Sequence, residues 1–91
     1  MTLETRYRIP PTVMLQVVDD ETLLYDSATG LFFSLNDVGA TIWEVMNDYE
    51  TLDDVLSELM EIFEVDRDQL EGDIFAFFTT LAEQNLVQID R

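Results

Sequence analysis

The feature that most constrains the fold is a pair of short apolar segments separated by a turn, in the first half of the 91-residue chain. The segments are Thr22–Asp26 and Leu31–Leu35, and the turn between them ends at Gly30. Apolar segments of about four to eight residues on both sides of a Gly-containing loop predict a β-hairpin. Gly adopts positive φ at no steric cost, so Gly30 suits a type I turn followed by a bulge. The chain is therefore expected to fold around this hairpin.

The second of these segments, Leu31–Leu35, lacks the residues that usually protect an edge strand. It contains no charged residue and no Pro, which are common means of preventing an edge strand from pairing with another chain. Side chains alternate along a strand, so Phe32 and Ser34 are predicted on one face and the three remaining residues on the other. Such a strand is either covered by the rest of the chain or open to a partner.

A third strand, Val13–Val18, precedes the hairpin and is joined to it by an acidic turn. Three strands with short connections form an antiparallel meander, which places Leu31–Leu35 at an edge of the sheet. Helical patterns occupy the remainder of the chain. The sequence thus predicts an α+β fold of winged helix-turn-helix type, with a three-stranded antiparallel β-meander followed by three α-helices.

Capping residues predict where the three helices begin. Asn36, Thr51 and Asp66 each precede apolar positions at helical spacing. Gln69 stands where a reciprocal capping bond with Asp66 would form, and Asn85 is expected to end the third helix. The predicted helical core comprises Val38, Ile42, Val45, Met46, Leu52, Val55, Leu56, Leu59, Met60, Phe63, Leu70, Ile74, Phe77, Phe78 and Leu81.

The first twelve residues are predicted to form a separate N-terminal arm. Residues 1–12 are largely polar, are closed by Pro10-Pro11, and are expected to be extended and loosely held. Residues 13–91 then form one domain. The arm has no apolar segment of the kind that a secretory signal needs, so a cytoplasmic location is expected. No apolar segment approaches the roughly 20 residues of a membrane span, so no membrane partner is predicted.

The charge of the chain favours some partners over others. Its 20 acidic and four basic residues give a formal net charge of −16, with no Lys at all. Nucleic-acid affinity comes mostly from Lys and Arg side chains that neutralise phosphates, so a polyanion or an anionic membrane would be repelled. A basic or neutral partner is favoured. In the third helix, Arg67 stands against several carboxylates, which argues against a DNA-reading helix.

The composition also argues against catalysis. The chain has no His and no Cys, so the common nucleophile–base pairs and soft-metal sites cannot be built. The acidic segment 48–54 lacks the alternating ligands and the Gly of an EF-hand loop. The carboxylates are better explained as solvated helix caps and faces. We therefore predict no enzymatic activity, no catalytic residues, no cofactor and no metal.

The aromatic residues of the third helix leave two interpretations open. Phe75 and Phe78 lie on the flank of the predicted core stripe, and together with Phe32 they would line a groove between the third strand and the third helix. Alternatively, Phe32 packs under the N-terminal arm, since single apolar residues need no functional explanation. The two interpretations are about equally favoured.

Short motifs along most of the chain resemble those of a known family. They are Leu24-Tyr25-Asp26, Thr29-Gly30, Leu35-Asn36, Gly39, Ile42-Trp43, Asp73 and Leu81. Their order resembles the coenzyme PQQ synthesis protein D (PqqD) family, whose fold is the peptide-recognition element of ribosomal-peptide modification pathways. The resemblance spans roughly residues 13–89 and implies a three-stranded meander with three helices.

The resemblance also implies a function. Family members bind the leader of a precursor peptide as an extra strand on the third strand, against the third helix, and present it to a modifying enzyme, often a radical S-adenosylmethionine (SAM) maturase. An added strand gains affinity from main-chain hydrogen bonds and selectivity from side-chain pockets. The contacts implied for this chain are Leu31, Phe32, Phe33, Ser34, Leu35, Glu71, Phe75 and Phe78.

One departure from the family pattern bears on the pathway. PQQ-pathway members tend to have a Pro-Glu pair after the second strand, whereas this chain has Asp26-Ser27-Ala28-Thr29-Gly30 there. We therefore expect a stand-alone leader-peptide-binding protein that serves another peptide. The alternative is a winged-helix adaptor or regulator with no leader-peptide role, docking on another protein through Trp43 and the acidic helices. The unprotected strand could also pair with a second copy of the chain to form a homodimer.

Overall fold

The computed structural model describes residues 2–90 and contains a three-stranded sheet, a two-stranded ribbon and three helices. The elements in chain order are β1 (Arg6–Arg8), β2 (Val13–Val18), β3 (Glu21–Asp26), β4 (Leu31–Leu35), α1 (Asp37–Met46), α2 (Leu52–Ile62), α3 (Arg67–Glu83) and β5 (Gln88–Asp90). The sheet is an antiparallel meander in the order β2-β3-β4, which confirms the predicted α+β fold and the position of β4 at an edge.

Most side chains on one face of the sheet pack against the helices, and those on the other face are more exposed. The row formed by Leu15, Leu24 and Phe33 faces the helices, and Leu24 in its centre is completely buried. The neighbouring outward row includes Tyr25 and Phe32, whose rings lie 4.7 Å apart between centroids. Phe32 is 59% exposed, so the predicted alternation along β4 is confirmed.

The two hairpin turns both use backbone with positive φ. The carbonyl of Asp26 accepts hydrogen bonds from the backbone N–H groups of Thr29 (3.3 Å) and Gly30 (2.8 Å). Gly30 has a φ of 78°, as the type I turn with a bulge requires. In the β2–β3 turn, Asp19 and Asp20 have φ values of 50° and 67°, a conformation that Gly and Asn adopt more readily.

Two of the three predicted helix caps form as expected. The Asn36 side chain accepts from the Gly39 N–H at 2.7 Å, and the Thr51 hydroxyl accepts from the Asp54 N–H at 3.3 Å. Asp66 has the extended backbone of a capping residue, but its side chain makes no capping hydrogen bond. The predicted capping bond between Asp66 and α3 is therefore wrong.

The core lies between the inward face of the sheet and the three helices. Most of the predicted helical core is buried, namely Ile42, Val45, Met46, Leu52, Val55, Leu56, Leu59, Leu70, Ile74, Phe78 and Leu81. Val38 is instead 46% exposed, because it stands in the first turn of α1 at the mouth of a surface cavity. Met60 in the last turns of α2 is also exposed, and Phe77 is only half-buried.

The N-terminal segment is attached to the rest of the molecule instead of being loosely held. β1 pairs antiparallel with β5, and its central residue Tyr7 is buried. The Tyr7 hydroxyl donates a 2.8 Å hydrogen bond to the carbonyl of Met46, and its backbone N–H donates to the carbonyl of Glu50. The ring also meets the edge of Phe78. These contacts join residues about 40 to 80 positions apart, which is why the local sequence pattern did not reveal them.

Candidate functional site

The hydrogen-bonding pattern of the sheet shows which backbone groups of β4 are free. Successive residues of a strand direct their N–H and C=O groups to opposite edges. The Ser27 N–H, just after β3, donates to the Thr12 carbonyl, just before β2, at 3.0 Å. Counted back from Ser27 in steps of two, the residues of β3 therefore direct their backbone groups to β2. The residues between them direct their backbone groups to β4. In β4, the residues that bond to β3 are therefore Leu31, Phe33 and Leu35. The backbone groups of Phe32 and Ser34 point away from the sheet.

The open edge of β4 thus presents two N–H donors and two C=O acceptors. The sheet ends at β4, and within residues 2–90 no strand pairs with its outer edge. The Ser34 hydroxyl donates to the Glu21 carboxylate at 2.7 Å across the outward face, so it leaves the backbone groups of Ser34 free. An extended peptide could form ladder hydrogen bonds at both residues.

A flank of α3 stands beside this edge, and Gly39 shows which flank it is. A side-chain carbon built on Gly39 would lie 3.3 Å from Cε1 of Phe77 and 3.5 Å from Cδ2 of Leu35. The end of β4, the first turn of α1 and Phe77 therefore meet at one point. Helical spacing places Asp73, Thr80 and Gln84 on the same flank of α3 as Phe77.

Two cavities lie at opposite ends of β4. The first, here called the apolar pocket, has a volume of about 350 Å³ and is lined by Asn36, Val38, Gly39, Ile42, Asp73, Ala76 and Phe77. The second, here called the polar pocket, has a volume of about 470 Å³ and is lined by Thr29, Gly30, Leu31, Glu83, Gln84 and Asn85. Both pockets combine residues at an end of β4 with residues of α3 or its C-terminus. A strand added to β4 would run from one pocket to the other.

The structure does not bring the three predicted groove aromatics together. Phe32 points away from the helices on the outward face of the sheet. Phe78 is completely buried against Tyr7, with ring centroids 5.6 Å apart, so it cannot line a surface groove. Phe75 is half-buried on the flank of α3 opposite to Phe77, and Glu71 shares that opposite flank. Phe32 does not pack under the N-terminal arm either.

The predicted position of β4 at the sheet edge is confirmed, whereas the helix flank beside it carries Phe77 instead of the predicted Phe75. Leu31–Leu35 stand where they were expected, while Phe77 had been assigned to the core and Asp73 had been given no role in a groove. The apolar stripe of α3 has two flanks, and the spacing of its residues does not say which one faces β4. The signal that could have identified the flank is Gly39, a small residue in the first turn of α1 that leaves room for an aromatic ring.

Burial also bears on the alternative interpretation, in which the protein is a winged-helix adaptor that docks through Trp43. Trp43 is only 2% exposed and belongs to the core cluster, so it cannot be the docking residue of a winged-helix adaptor.

Within residues 2–90, no helix is both long and apolar enough to cross a bilayer. Over the same residues, no three carboxylates approach one another closely enough to hold a metal ion.

Comparison with protein families agrees with this architecture. The family model for coenzyme PQQ synthesis protein D (PqqD) matches residues 21–87, which include β3, β4 and all three helices. The match covers well over half of the chain, so the protein belongs to the PqqD family. No match was found among curated proteins.

Two solved structures share the fold over nearly the whole chain. The structure of TbiB1 in complex with the TbiA(β) leader peptide is 29% identical with a TM-score of 0.75, over 88% of this chain and 93% of that one. The structure of a lasso peptide synthetase B1 complexed with the leader peptide is 30% identical with a TM-score of 0.74, over 90% of this chain and 96% of that one. Both similar proteins are thus leader-peptide complexes.

Proposed function

We propose that this protein binds the leader of a ribosomally made precursor peptide as a fourth strand on β4. The observation that carries the proposal is the open edge of β4, where the backbone groups of Phe32 and Ser34 face a groove bounded by α3. Main-chain hydrogen bonds at these residues give affinity for an extended peptide, and the pockets at the two ends of β4 give selectivity. Membership of the PqqD family and similarity to two leader-peptide complexes support the same function.

The alternation of β4 defines two kinds of position in the bound peptide. Directly opposed residues of paired strands point to the same face. Peptide side chains opposite Phe32 and Ser34 would therefore lie on the outward face, next to the Tyr25 and Phe32 rings. Those opposite Leu31, Phe33 and Leu35 would enter the groove beside α3. The groove positions carry the selectivity.

The peptide contacts proposed here revise those implied by the family resemblance. Leu31–Leu35 remain contacts, through the backbone of Phe32 and Ser34 and through the inward side chains. Phe77 and Asp73 replace Phe75, Phe78 and Glu71 on the helix, because they stand on the flank that faces β4. We propose a binding role in the cytoplasm, in which the protein presents its peptide to a modifying enzyme such as a radical SAM maturase and performs no chemistry itself.

Amide chemical shifts would test the proposal. The probe is a peptide selected on the wild-type chain from a displayed library of random short sequences, titrated into the ¹⁵N-labelled chain. We expect the largest shifts at the amides of β4 and around Phe77. Hydrogen exchange should also slow at the Phe32 and Ser34 amides, which face solvent in the free protein. Shifts confined to the exposed surfaces of α1 and α2, with unchanged exchange at Phe32 and Ser34, would contradict the proposed site.

Self-association through β4 would compete with peptide binding for the same backbone groups. Each copy carries a net charge of −16, which opposes pairing of two copies at ordinary ionic strength. We therefore expect a monomer in the absence of peptide. Sedimentation over a concentration series checks this expectation, and a dimer that dissociates on adding peptide would show that the edge is shared by both partners.

A further inference from the structure

We propose that the polar pocket at the C-terminal end of α3 receives an arginine or lysine side chain of the bound peptide, and that this position is part of peptide selection. The inference rests on the proposed function, because the strand on β4 is what delivers the side chain. It adds the chemical class of one residue in that strand. The pocket is negatively charged, lies at the C-terminal end of α3, and is in register with one end of β4.

The charge at this end of α3 is negative from two sources. The helix dipole places partial negative charge at its C-terminus, where a basic side chain is normally stabilising. The last turn of α3 contains no basic residue, and it contains the acidic residue Glu83, which lines the pocket. The remaining polar side chains there, Thr29, Gln84 and Asn85, offer oxygen atoms that accept hydrogen bonds from a cation.

The chain's own described cations are held elsewhere. Arg6 lies 3.3 Å from the carboxylate of Glu50, and Arg8 lies near Asp90, both on the β1–β5 ribbon. Arg67 begins α3 and so stands roughly 24 Å along the helix from Glu83, at a rise of about 1.5 Å per residue. Among residues 2–90, the ion pairs do not include Glu83.

The register with β4 places this pocket at a defined position of the peptide. Leu31 lines the polar pocket, and Leu35 borders the apolar pocket through its contact with Gly39. A peptide residue opposite Leu31 and one opposite Leu35 both point into the groove and are four positions apart. The predicted pattern is therefore an apolar side chain beside Phe77 and a basic side chain four residues away.

The pocket suits the shape of a basic side chain as well as its charge. The Leu31 side chain supplies apolar contact for the methylene groups of arginine or lysine, while the charged head would lie among the polar residues of the lining. An acidic side chain in the same place would meet Glu83 and the negative end of the helix dipole. The expected selection is thus for a cation and against a carboxylate.

A displayed library of random short peptides tests the inference without knowledge of the natural peptide. The library is selected at physiological ionic strength on the wild-type chain, on Ser34→Pro and on Val17→Pro. Ser34→Pro removes an outward N–H of β4, whereas Val17→Pro removes an outward N–H of β2 on the other edge of the sheet. Peptides enriched on the wild type and on Val17→Pro but lost on Ser34→Pro are those that bind β4. Ser34→Ala controls for loss of the Ser34 hydroxyl.

The β4-dependent peptides then report on the polar pocket. We expect enrichment of Arg and Lys at one groove-facing position, loss of that enrichment on Glu83→Gln, and enrichment of Asp and Glu there on Glu83→Arg. Affinity of a selected peptide should fall about three- to tenfold on Glu83→Gln, as for a partly exposed charge contact. Glu61→Arg, an exposed reversal on α2, is the matched control and should leave the positional preference unchanged.

The outcomes separate this inference from the proposed function. β4-dependent peptides without a basic preference at that position, or with a preference that Glu61→Arg alters as much as Glu83→Arg does, would overturn the polar-pocket inference and leave strand addition standing. Peptides that bind Ser34→Pro as well as the wild type would overturn both. Circular dichroism of each variant distinguishes loss of binding from loss of folding.

Discussion

The two edges of the same three-stranded sheet differ in how they are bounded, although both strands are uncharged. β2 is preceded by Pro10-Pro11 and followed by Asp19 and Asp20, which are residues that discourage strand pairing. β4 is preceded by Gly30 and followed by Asn36, which do not. The chain thus protects the ends of one edge strand and leaves the other unprotected.

The helices sharpen this difference. Val17 of β2 and Leu35 of β4 belong to the same inward row, through their shared partner Thr22 in β3. Val17 is 69% exposed, whereas Leu35 is half-buried beside Gly39 and Phe77. In this row the helices cover the β4 end and form a groove beside it, while the β2 end at Val17 projects beyond them; at the start of β2, Val13 is buried in the core. A sheet edge becomes a binding site when a neighbouring helix forms one side of a groove along it.

The largest expected effect comes from proline substitution at the two edges. Ser34→Pro should weaken binding of a β4-dependent peptide by roughly 100-fold, because it removes a ladder donor and places a ring where the peptide backbone lies. Val17→Pro should leave affinity within about twofold, since its N–H faces the opposite edge. Isothermal titration with one library-selected peptide measures both. Equal losses in the two variants would mean that the edges do not differ in function.

The next prediction tests whether the Phe77 flank of α3 forms the side of the groove beside β4. Phe77→Ala should weaken peptide binding by about tenfold, because a half-buried ring beside the groove contributes apolar contact to the peptide. Phe75→Ala, on the opposite flank, should reduce the free energy of unfolding at least as much as Phe77→Ala does, and it should leave peptide affinity unchanged. Urea denaturation and isothermal titration of both variants provide the measurements. A loss of affinity in Phe75→Ala alone would show that the peptide uses the other flank.

A third prediction separates stability from binding at Tyr7, a buried residue outside the three-stranded sheet. Tyr7→Phe should lower the free energy of unfolding by about 1 kcal/mol at neutral pH, because it removes the hydrogen bond to the Met46 carbonyl. Peptide affinity should be unchanged, since Tyr7 is the buried central residue of β1 and β1 pairs with β5, not with β4.

The same variant predicts a pH dependence. Burial, with added repulsion from the carboxylates of Asp54, Asp48 and Glu50, raises the pKa of Tyr7 in the folded protein. The protonated hydroxyl stabilises the fold below the unfolded-state pKa of about 10, and this contribution is lost as the pH rises above it. Wild-type stability should therefore fall above pH ~10 more steeply than that of Tyr7→Phe. Urea denaturation across this pH range measures the free energy of unfolding of both proteins. If that free energy falls equally with pH in the wild type and in Tyr7→Phe, the assignment is contradicted.

The smallest effect is expected at the turn that ends β2. Asp20→Gly should raise the free energy of unfolding by roughly 0.5–1 kcal/mol, because Gly adopts the positive φ of this turn more readily and the change removes the middle one of the three consecutive acidic residues Asp19, Asp20 and Glu21. Thermal unfolding measures the gain. Self-association of the variant through β2 would sharpen the comparison, since it would show that the acidic turn protects that edge.

The accuracy of the sequence-based predictions followed the range of the interactions involved. The β4 strand, its alternation, the Gly30 turn and the caps at Asn36 and Thr51 were all predicted, because each depends on residues within a few positions of one another. The burial of Tyr7 was not, since its partners lie about forty residues away. The exposure of Val38 was missed because helical spacing marks a stripe and does not say how far a neighbouring element covers it.

By itself, the sequence determined that this protein has an unprotected, uncharged edge strand between a glycine turn and a helix cap, because alternation and turn chemistry are local properties of the chain. Only the tertiary structure decided what stands beside that strand. The apolar stripe of α3 has two flanks with aromatic residues, and the direction from which the helix packs on Gly39 and Leu35 turned Phe77 towards β4, Phe75 away from it and Phe78 into the core.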